Sequence, residues 1–77
     1  MTYDDAARDV MDEIVRARRM HGEYSSPHEG WAVILEEVDE LWEEVKKNQG
    51  RGKSAYDEAK QIACTAIRYM CEVATRK

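Results

Sequence analysis

The sequence contains no phenylalanine, a single proline and only four glycines. Turns are built largely from glycine, proline, asparagine and aspartate, so this scarcity disfavours a turn-rich β-sandwich. No apolar run approaches the roughly 20 residues that span a bilayer. A net charge of −4 also argues against binding to a phosphate backbone. With 77 residues, the chain is too short for a Rossmann fold or a β/α barrel, and we expect one small domain that binds neither nucleic acid nor membrane.

The residues that are present are typical of amphipathic helices. Hydrophobic residues make up 43% of the chain and charged residues 36%, a mixture of apolar stripes and charged surfaces. Residues 1–13 are acidic and have no apolar core, so we expect no signal peptide. Cys64 and Cys71 lie seven residues apart on one predicted helix, about 10 Å along its axis, which is too far for a disulfide between them. We expect two buried thiols in a reducing cytoplasm.

Three helices with two short breaks account for nearly the whole of a single helical domain, residues 1–77. The predicted helices cover residues 3–20, 27–47 and 55–75. Thr2, Ser26 and Ser54 stand at their starts as capping residues, and Pro27 follows Ser26 at the first helical position. The short loop 48–53 makes the second and third helices antiparallel. The sequence therefore predicts an all-α fold with three principal helices per chain.

An acidic segment runs along the second predicted helix. The string EEVDE occupies residues 36–40, and two more glutamates follow it. At about 100° per residue, Glu37, Glu40 and Glu44 share one side, immediately beside the apolar face. The outer set consists of Glu36, Asp39 and Glu43. The apolar face, which we expect to be buried, consists of Trp31, Ile34, Leu35, Val38, Leu41, Trp42 and Val45.

The third predicted helix is apolar over about 200° of its circumference, so we expect it to be buried on most sides. One narrow polar stripe remains. Its residues are Glu58, Gln61, Thr65, Arg68 and Glu72. A polar stripe on a mostly buried helix must face a partner, a cavity or an ion. Within it, Arg68 either contacts phosphate or pairs with Glu72 one turn away.

In the antiparallel pair, Glu37 and Glu40 face Glu58 and Gln61. Three converging carboxylates repel one another unless a cation neutralises them. Oxygen ligands alone suit Mg²⁺ or Mn²⁺, and no zinc-type spacing is present. The spacing leaves an alternative open, a salt-bridged seam in which Arg68 and Lys60 neutralise the acids.

These residues resemble the MazG-like, all-α nucleoside triphosphate pyrophosphohydrolases. That family carries Glu-Glu-x-x-Glu on one helix and Glu-x-x-Asp on the next. The wider strings SSPHEGWAVILEEVDELWEEV and YDEAKQIACTAIRYM are similar to a small branch found in phage and bacteria, and the resemblance covers residues 20–73. The first half of the motif maps onto Glu36, Glu37 and Glu40. The second half maps onto Glu58 and Gln61, so a glutamine replaces the closing aspartate.

The resemblance implies a bundle that binds Mg²⁺ and converts a nucleoside triphosphate to the monophosphate and pyrophosphate. The implied metal ligands are Glu37, Glu40, Glu58 and Gln61, and the implied catalytic residues are Glu36 and Glu37. Glu36 would bind a second ion or position water. The substrate-binding candidates are Lys53, Arg68 and Trp31. Gln61 brings no charge, which puts turnover in question more than nucleotide binding.

Three classes of function follow. The first is a Mg²⁺-dependent pyrophosphohydrolase, the second a non-hydrolysing protein that binds a nucleotide or a nucleotide signal, and the third a structural helical subunit. Because the apolar arc is too broad for one small unit to cover, we expect a homodimer or homotetramer that completes an antiparallel bundle. The family resemblance implies the same.

Overall fold

The computed structural model describes residues 1–76, which form three α-helices. Helix α1 covers Tyr3–His21, α2 covers Pro27–Asn48 and α3 covers Lys53–Tyr69. A single π-helical turn, Met70–Ala74, continues α3. The prediction of an all-α chain with three helices is confirmed. The π form of the last turn was not anticipated; the Thr75 hydroxyl there donates to the Met70 carbonyl at 2.9 Å.

The first two helix starts follow from their capping residues. The Thr2 hydroxyl accepts from the Asp5 amide and the Asp5 carboxylate accepts from the Thr2 amide, both at 3.1 Å, which is a complete capping box. At α2 the Ser26 hydroxyl accepts from the Glu29 amide at 3.1 Å. The Glu29 carboxylate accepts instead from the Ser25 amide at 2.8 Å. The Glu29 carboxylate therefore satisfies the amide one residue before the cap.

The predicted cap of the third helix is wrong. Helix α3 begins at Lys53 after Gly52, and no side chain caps its first turn. Asp57 pairs with the Lys53 ammonium at 2.8 Å. Gly52 has φ +94°, a left-handed conformation that favours glycine and lets the chain enter the helix two residues earlier than predicted.

Helix α3 is the central element, since it packs on α2 along one side and on α1 along another. At Gly30, α2 lies close against α3: a Cβ atom there would lie 2.6 Å from the Tyr69 ring. Gly30 near the start of α2 thus meets the end of α3, and Glu40 further along meets Glu58 near its start. The two helices are antiparallel, as the short loop predicts.

The core of the described chain is thin. Its buried apolar residues are Ala17, Tyr24, Ala55 and Cys64. The radius of gyration is 12.9 Å, against roughly 11.5 Å for a compact domain of this length. Three helices packed in this extended shape leave much apolar surface in contact with solvent.

Two sequence expectations about burial are wrong for the single chain. The apolar face of α2 is largely exposed, including Trp31 at 60% and Trp42 at 56%, because only one side of that helix has a packing partner. Leu35, Val38 and Val45 on the same face are also exposed. Cys64 is buried but Cys71 is exposed, so the chain has one buried thiol rather than two.

Candidate metal centre

Three carboxylates converge between α2 and α3. Carboxylate oxygens of Glu37, Glu40 and Glu58 all lie within 4.8 Å of one another. The first two stand one turn apart on α2, and the third projects from the first turns of α3, so the antiparallel packing brings them together. This cluster of Glu37, Glu40 and Glu58, the acidic cluster below, is the convergence that the sequence predicts.

Burial and mutual repulsion both act on the acidic cluster. Glu37 and Glu58 are half-buried, whereas Glu40 is exposed. Burial, together with the charges of Glu40 and Glu58, raises the pKa of Glu37 to about 7. Burial and the neighbouring Glu40 also raise the pKa of Glu58. The cluster therefore holds negative charge at a real energetic cost near neutral pH.

Within the described residues, no cationic side chain pairs with the acidic cluster to offset that cost. Across residues 1–76, no lysine, arginine or histidine lies within 4.0 Å of these three carboxylates. Lys60 lies 3.8 Å from Asp57, and Arg68 pairs with Glu72. The salt-bridged seam that the spacing left open does not form around the acidic cluster.

One oxygen of the acidic cluster is buried without a hydrogen-bond donor. In the described part of the chain, the buried side-chain polar atoms in this condition are Glu58 Oε2 and the Tyr24 hydroxyl. The groups that act on the pKa of Glu58 are the carboxylates of Glu37, Glu40 and Glu44, which accept hydrogen bonds and cannot donate them while ionised. An oxygen in this position is a fitting ligand for a hard divalent cation.

Gln61 lies one turn beyond Glu58 and lines a small cavity of about 120 Å³ together with Glu37. Glu13 of α1, which also lines that cavity, is buried. The Arg16 guanidinium, and more weakly the Gln61 amide, hold the pKa of Glu13 at about 2. A side-chain amide that donates through its nitrogen keeps its oxygen free to accept or to coordinate.

Glu13 is the residue of this region that sequence reasoning missed. It lies three residues after Val10 and four before Ala17, so it falls on the apolar face of α1. An acid at such a position is rarely left on an apolar face without a partner. The signal was present in the spacing, because a glutamate interrupts an otherwise apolar face.

None of the other predicted site residues belongs to the acidic cluster. Glu36 is exposed and lines a shallow outer groove with Glu40 and Trp42. Trp31 is exposed on a different flank of α2. Lys53 is 86% exposed at its side chain and pairs with Asp57 on α3.

Arg68 takes up the ion pair, one of its two predicted alternatives. Its side chain is 5% exposed, and Nε donates to Glu72 Oε2 at 2.9 Å. The guanidinium also donates to the Gly22 carbonyl at 2.5 Å and stacks over the Tyr24 ring, 4.5 Å from its centroid. Through these contacts, Arg68 holds the connection between α1 and α2 against the end of α3.

No protein-family profile, curated protein or solved structure matches the chain. Within the described residues, no helix combines the length and the apolar character that crossing a membrane requires.

Proposed function

We propose that the chain is a Mg²⁺-dependent nucleoside triphosphate pyrophosphohydrolase, with Mn²⁺ as a substitute ion. The observation that carries the proposal is the acidic cluster, three converging carboxylates with no lysine, arginine or histidine of residues 1–76 within 4.0 Å of them. A structural helical subunit has no need for such a cluster, since each buried charge lowers its stability. The resemblance of EEVDE and the following glutamate to the MazG-like pyrophosphohydrolases supplies the reaction.

In this proposal Glu37, Glu40 and Glu58 hold the metal, with the Gln61 oxygen as a neutral fourth ligand. The bound ion supplies neutralisation of the triphosphate and of the charge that develops on the leaving group. Glu36, one residue from Glu37 and facing solvent, positions the attacking water and accepts its proton. Water attacks the α-phosphorus, the bond to the bridging oxygen breaks, and pyrophosphate leaves.

Lys53 is the substrate contact that the geometry favours most. Its ammonium is exposed and its ion pair with Asp57 is a surface pair, which costs little to exchange for a phosphate. Arg68 would have to leave a buried pair with Glu72 to reach phosphate, so we do not give it that contact. Trp31 would have to receive the base on a flank of α2 away from the acidic cluster.

The test incubates the protein with a panel of nucleoside triphosphates and Mg²⁺ and measures monophosphate and pyrophosphate. We expect release by the wild type and none by Glu40→Gln, which removes one cluster charge. Glu43→Gln is the matched control, because Glu43 lies on the same helix and pairs with Lys46 at 2.6 Å. Equal Mg²⁺ binding and equal turnover in both variants would place the site elsewhere.

A second candidate function is nucleotide or nucleotide-signal binding without hydrolysis. Gln61 favours it, since an amide in place of a carboxylate weakens the hold on a second ion. In that case, nucleotide binds in the presence of Mg²⁺ and Glu40→Gln loses it, while no variant releases pyrophosphate.

We also propose that two or four copies associate to complete the bundle. The thin core and the exposed apolar face of α2 support this, since a domain of this size can rarely leave such surface uncovered. Light scattering that shows a stable 8.9 kDa species at micromolar concentration would contradict it. The exposed Cys71 thiol suits a reducing compartment, so we place the protein in the cytoplasm.

A further inference from the structure

Two hydrogen bonds fix the position of α1 along α3. Towards the N-terminal ends of the two helices, the Tyr56 hydroxyl donates to the Asp9 carboxylate. Towards their C-terminal ends, the Arg68 guanidinium donates to the Gly22 carbonyl at 2.5 Å. The two contacts follow each other in the same order and at nearly equal spacing on both helices, so the helices are parallel. Glu13, one turn beyond Asp9, therefore lies level with the residues one turn beyond Tyr56.

Glu13 is a buried carboxylate with a fixed partner on its own helix. Its side chain is 8% exposed. The Arg16 guanidinium holds both of its oxygens, with Nε 3.1 Å from Oε1 and a terminal nitrogen 2.5 Å from Oε2. A carboxylate that is held in this way by a guanidinium stays ionised, and its remaining lone pairs are open to other donors.

Gln61 is the donor that α3 supplies to this carboxylate. It lines the same cavity of about 120 Å³ as Glu13 and Glu37. The Arg16 guanidinium lowers the pKa of Glu13 most strongly, and a side-chain hydrogen bond from Gln61 lowers it further. Only the nitrogen of a side-chain amide can donate to a carboxylate. The amide nitrogen of Gln61 therefore faces Glu13, which leaves the amide oxygen for a different neighbour.

We infer that Glu13 is a positioning residue of the metal centre: it holds the amide nitrogen of Gln61, so that the amide oxygen is presented to the acidic cluster. Glu37 is the member of that cluster that lines the shared cavity, so the oxygen adds a ligand beside Glu37. An amide without this restraint exchanges its oxygen and nitrogen by a half-turn of its last torsion, and would then present N–H groups to a cation. The inference rests on the proposed function, because it assigns the oxygen to the metal of that site.

The contact with Glu13 also accounts for the residue type at position 61. A carboxylate there would face the ionised Glu13, and two like charges in one cavity would repel each other. An amide suits both neighbours, since it donates to Glu13 through its nitrogen and can coordinate through its oxygen. Glutamine in place of the closing aspartate of the motif thus satisfies Glu13, at the expense of one negative charge at the metal centre.

The side-chain amide signals in heteronuclear NMR spectra test the orientation without metal. The chain has three such groups, those of Asn48, Gln49 and Gln61, and Gln49 is exposed. In the wild type, one amide proton of Gln61 should resonate well downfield of the Gln49 protons, because it donates to a charged acceptor. Glu13→Ala should move this signal to the position of the Gln49 signals. Asp12→Ala, which removes the exposed carboxylate next to Glu13, should leave it in place.

Calorimetry on the same variants tests the consequence for the metal. Glu13→Ala should weaken Mg²⁺ binding about tenfold, as expected when a group that orients a metal ligand is lost. Asp12→Ala should change it less than about twofold, because an exposed charge is screened by solvent and salt. In a Gln61→Leu background, which has no amide to orient, Glu13→Ala should weaken binding no more than Asp12→Ala does.

Glu13→Leu takes the place of Glu13→Ala if the alanine variant fails to fold. Leucine suits the apolar face of α1, and Arg16, which is 55% exposed at its side chain, can then turn to solvent. The same shift of the Gln61 signal and the same loss of Mg²⁺ affinity are expected for it.

Two results would overturn the inference in a wild type that binds Mg²⁺. One is a Gln61 signal that Glu13→Ala does not move, and the other is an equal loss of Mg²⁺ affinity with and without the Gln61 amide. Either would leave the metal centre in place and give Glu13 a purely structural role. A wild type that binds no Mg²⁺, but whose Gln61 signal depends on Glu13, would contradict the proposed function and the assignment of the oxygen to a metal, while the orientation of the amide would stand.

Discussion

The polar stripe of α3 has two ends that treat buried charge differently. At the C-terminal end, burial opposes ionisation of Glu72, but hydrogen bonds from Arg68 and from the Tyr24 amide outweigh it and lower the pKa. At the N-terminal end, burial and neighbouring carboxylates raise the pKa of Glu58. Glu58 and Glu72 belong to the same polar stripe. They differ because Glu72 has a guanidinium beside it and Glu58 does not. A buried carboxylate that is paired with a guanidinium contributes to the stability of the fold. A buried carboxylate without such a partner is costly, and a bound cation would remove that cost.

The largest effect is expected from breaking the paired end. Arg68→Leu would leave the Glu72 carboxylate 4% exposed at its side chain, with Arg18 3.7 Å away as its remaining ion partner. We expect a loss of about 3 kcal/mol or more in the free energy of unfolding. Chemical denaturation measures it.

The double variant Arg68→Leu with Glu72→Leu is the control for that loss. It removes both charges, so it should recover much of the stability lost by Arg68→Leu alone. A double variant as unstable as the single one would mean that the pair stabilises through packing rather than through charge.

At the unpaired end, Mg²⁺ should supply the positive charge that Arg68 supplies to Glu72 at the other end. An ion that binds only the folded state should add about 2.7 kcal/mol at a hundred times its dissociation constant. Thermal melts with Mg²⁺ against chelator should therefore differ by several degrees for the wild type and for Glu43→Gln. Glu40→Gln should lose most of the difference. Identical melts for all three would remove the basis for a metal at the acidic cluster.

Helix positions and the meeting of acids could be predicted from the sequence because they depend on local capping and on helical spacing. Thr2 and Ser26 cap as expected, and the spacing of Glu37, Glu40 and Glu58 brings them together. What covers an apolar face is not local information. The periodicity shows that Trp42 shares a face with its neighbours, but not that this face lies outside the core.

Two features escaped prediction for related reasons. The choice of Arg68 between phosphate and Glu72 depends on Tyr24 and Gly22, which are distant in sequence and close in the fold. The Ser54 cap failed because Gly52 adopts a positive φ, which a residue pattern does not reveal.

The next effect in size is the pH dependence of stability in the metal-free protein, which should reflect the unpaired acidic cluster. The pKa of Glu37 is raised from 4.5 to about 7 in the folded state, so the folded state binds the proton more tightly than the unfolded one. Stability from this group is complete below about pH 4.5 and is lost as pH rises through 7. We expect the free energy of unfolding to fall by about 2 kcal/mol between these pH values, which is less than the full pKa shift implies because solvent screens the partly exposed carboxylate.

Glu37→Gln is the variant that checks this slope. In chelator, it should flatten the decline and be more stable than the wild type at pH 8, because no charge has to form there. Denaturation midpoints between pH 5 and pH 8 measure both effects. If the metal-free stability of the wild type rises over this range, the ionisation of Glu37 does not destabilise the folded state as proposed.

The smallest effect, and the finest test of the unpaired end, concerns Gln61. Gln61→Asp restores the acid of the family motif and should tighten Mg²⁺ binding about tenfold, since it adds a charged oxygen ligand. Without metal the variant should be less stable than the wild type, because the new carboxylate stands near the ionised Glu13.

Gln61→Leu removes the amide oxygen without adding charge. If that oxygen coordinates, Gln61→Leu weakens Mg²⁺ binding; if it does not, calorimetry shows the wild-type affinity. Where the wild type hydrolyses nucleotides, turnover by Gln61→Asp should rise or need less Mg²⁺. Where the wild type only binds, pyrophosphate should appear first in Gln61→Asp, and its absence there, together with unchanged Mg²⁺ affinity, would show that position 61 has no part in the site.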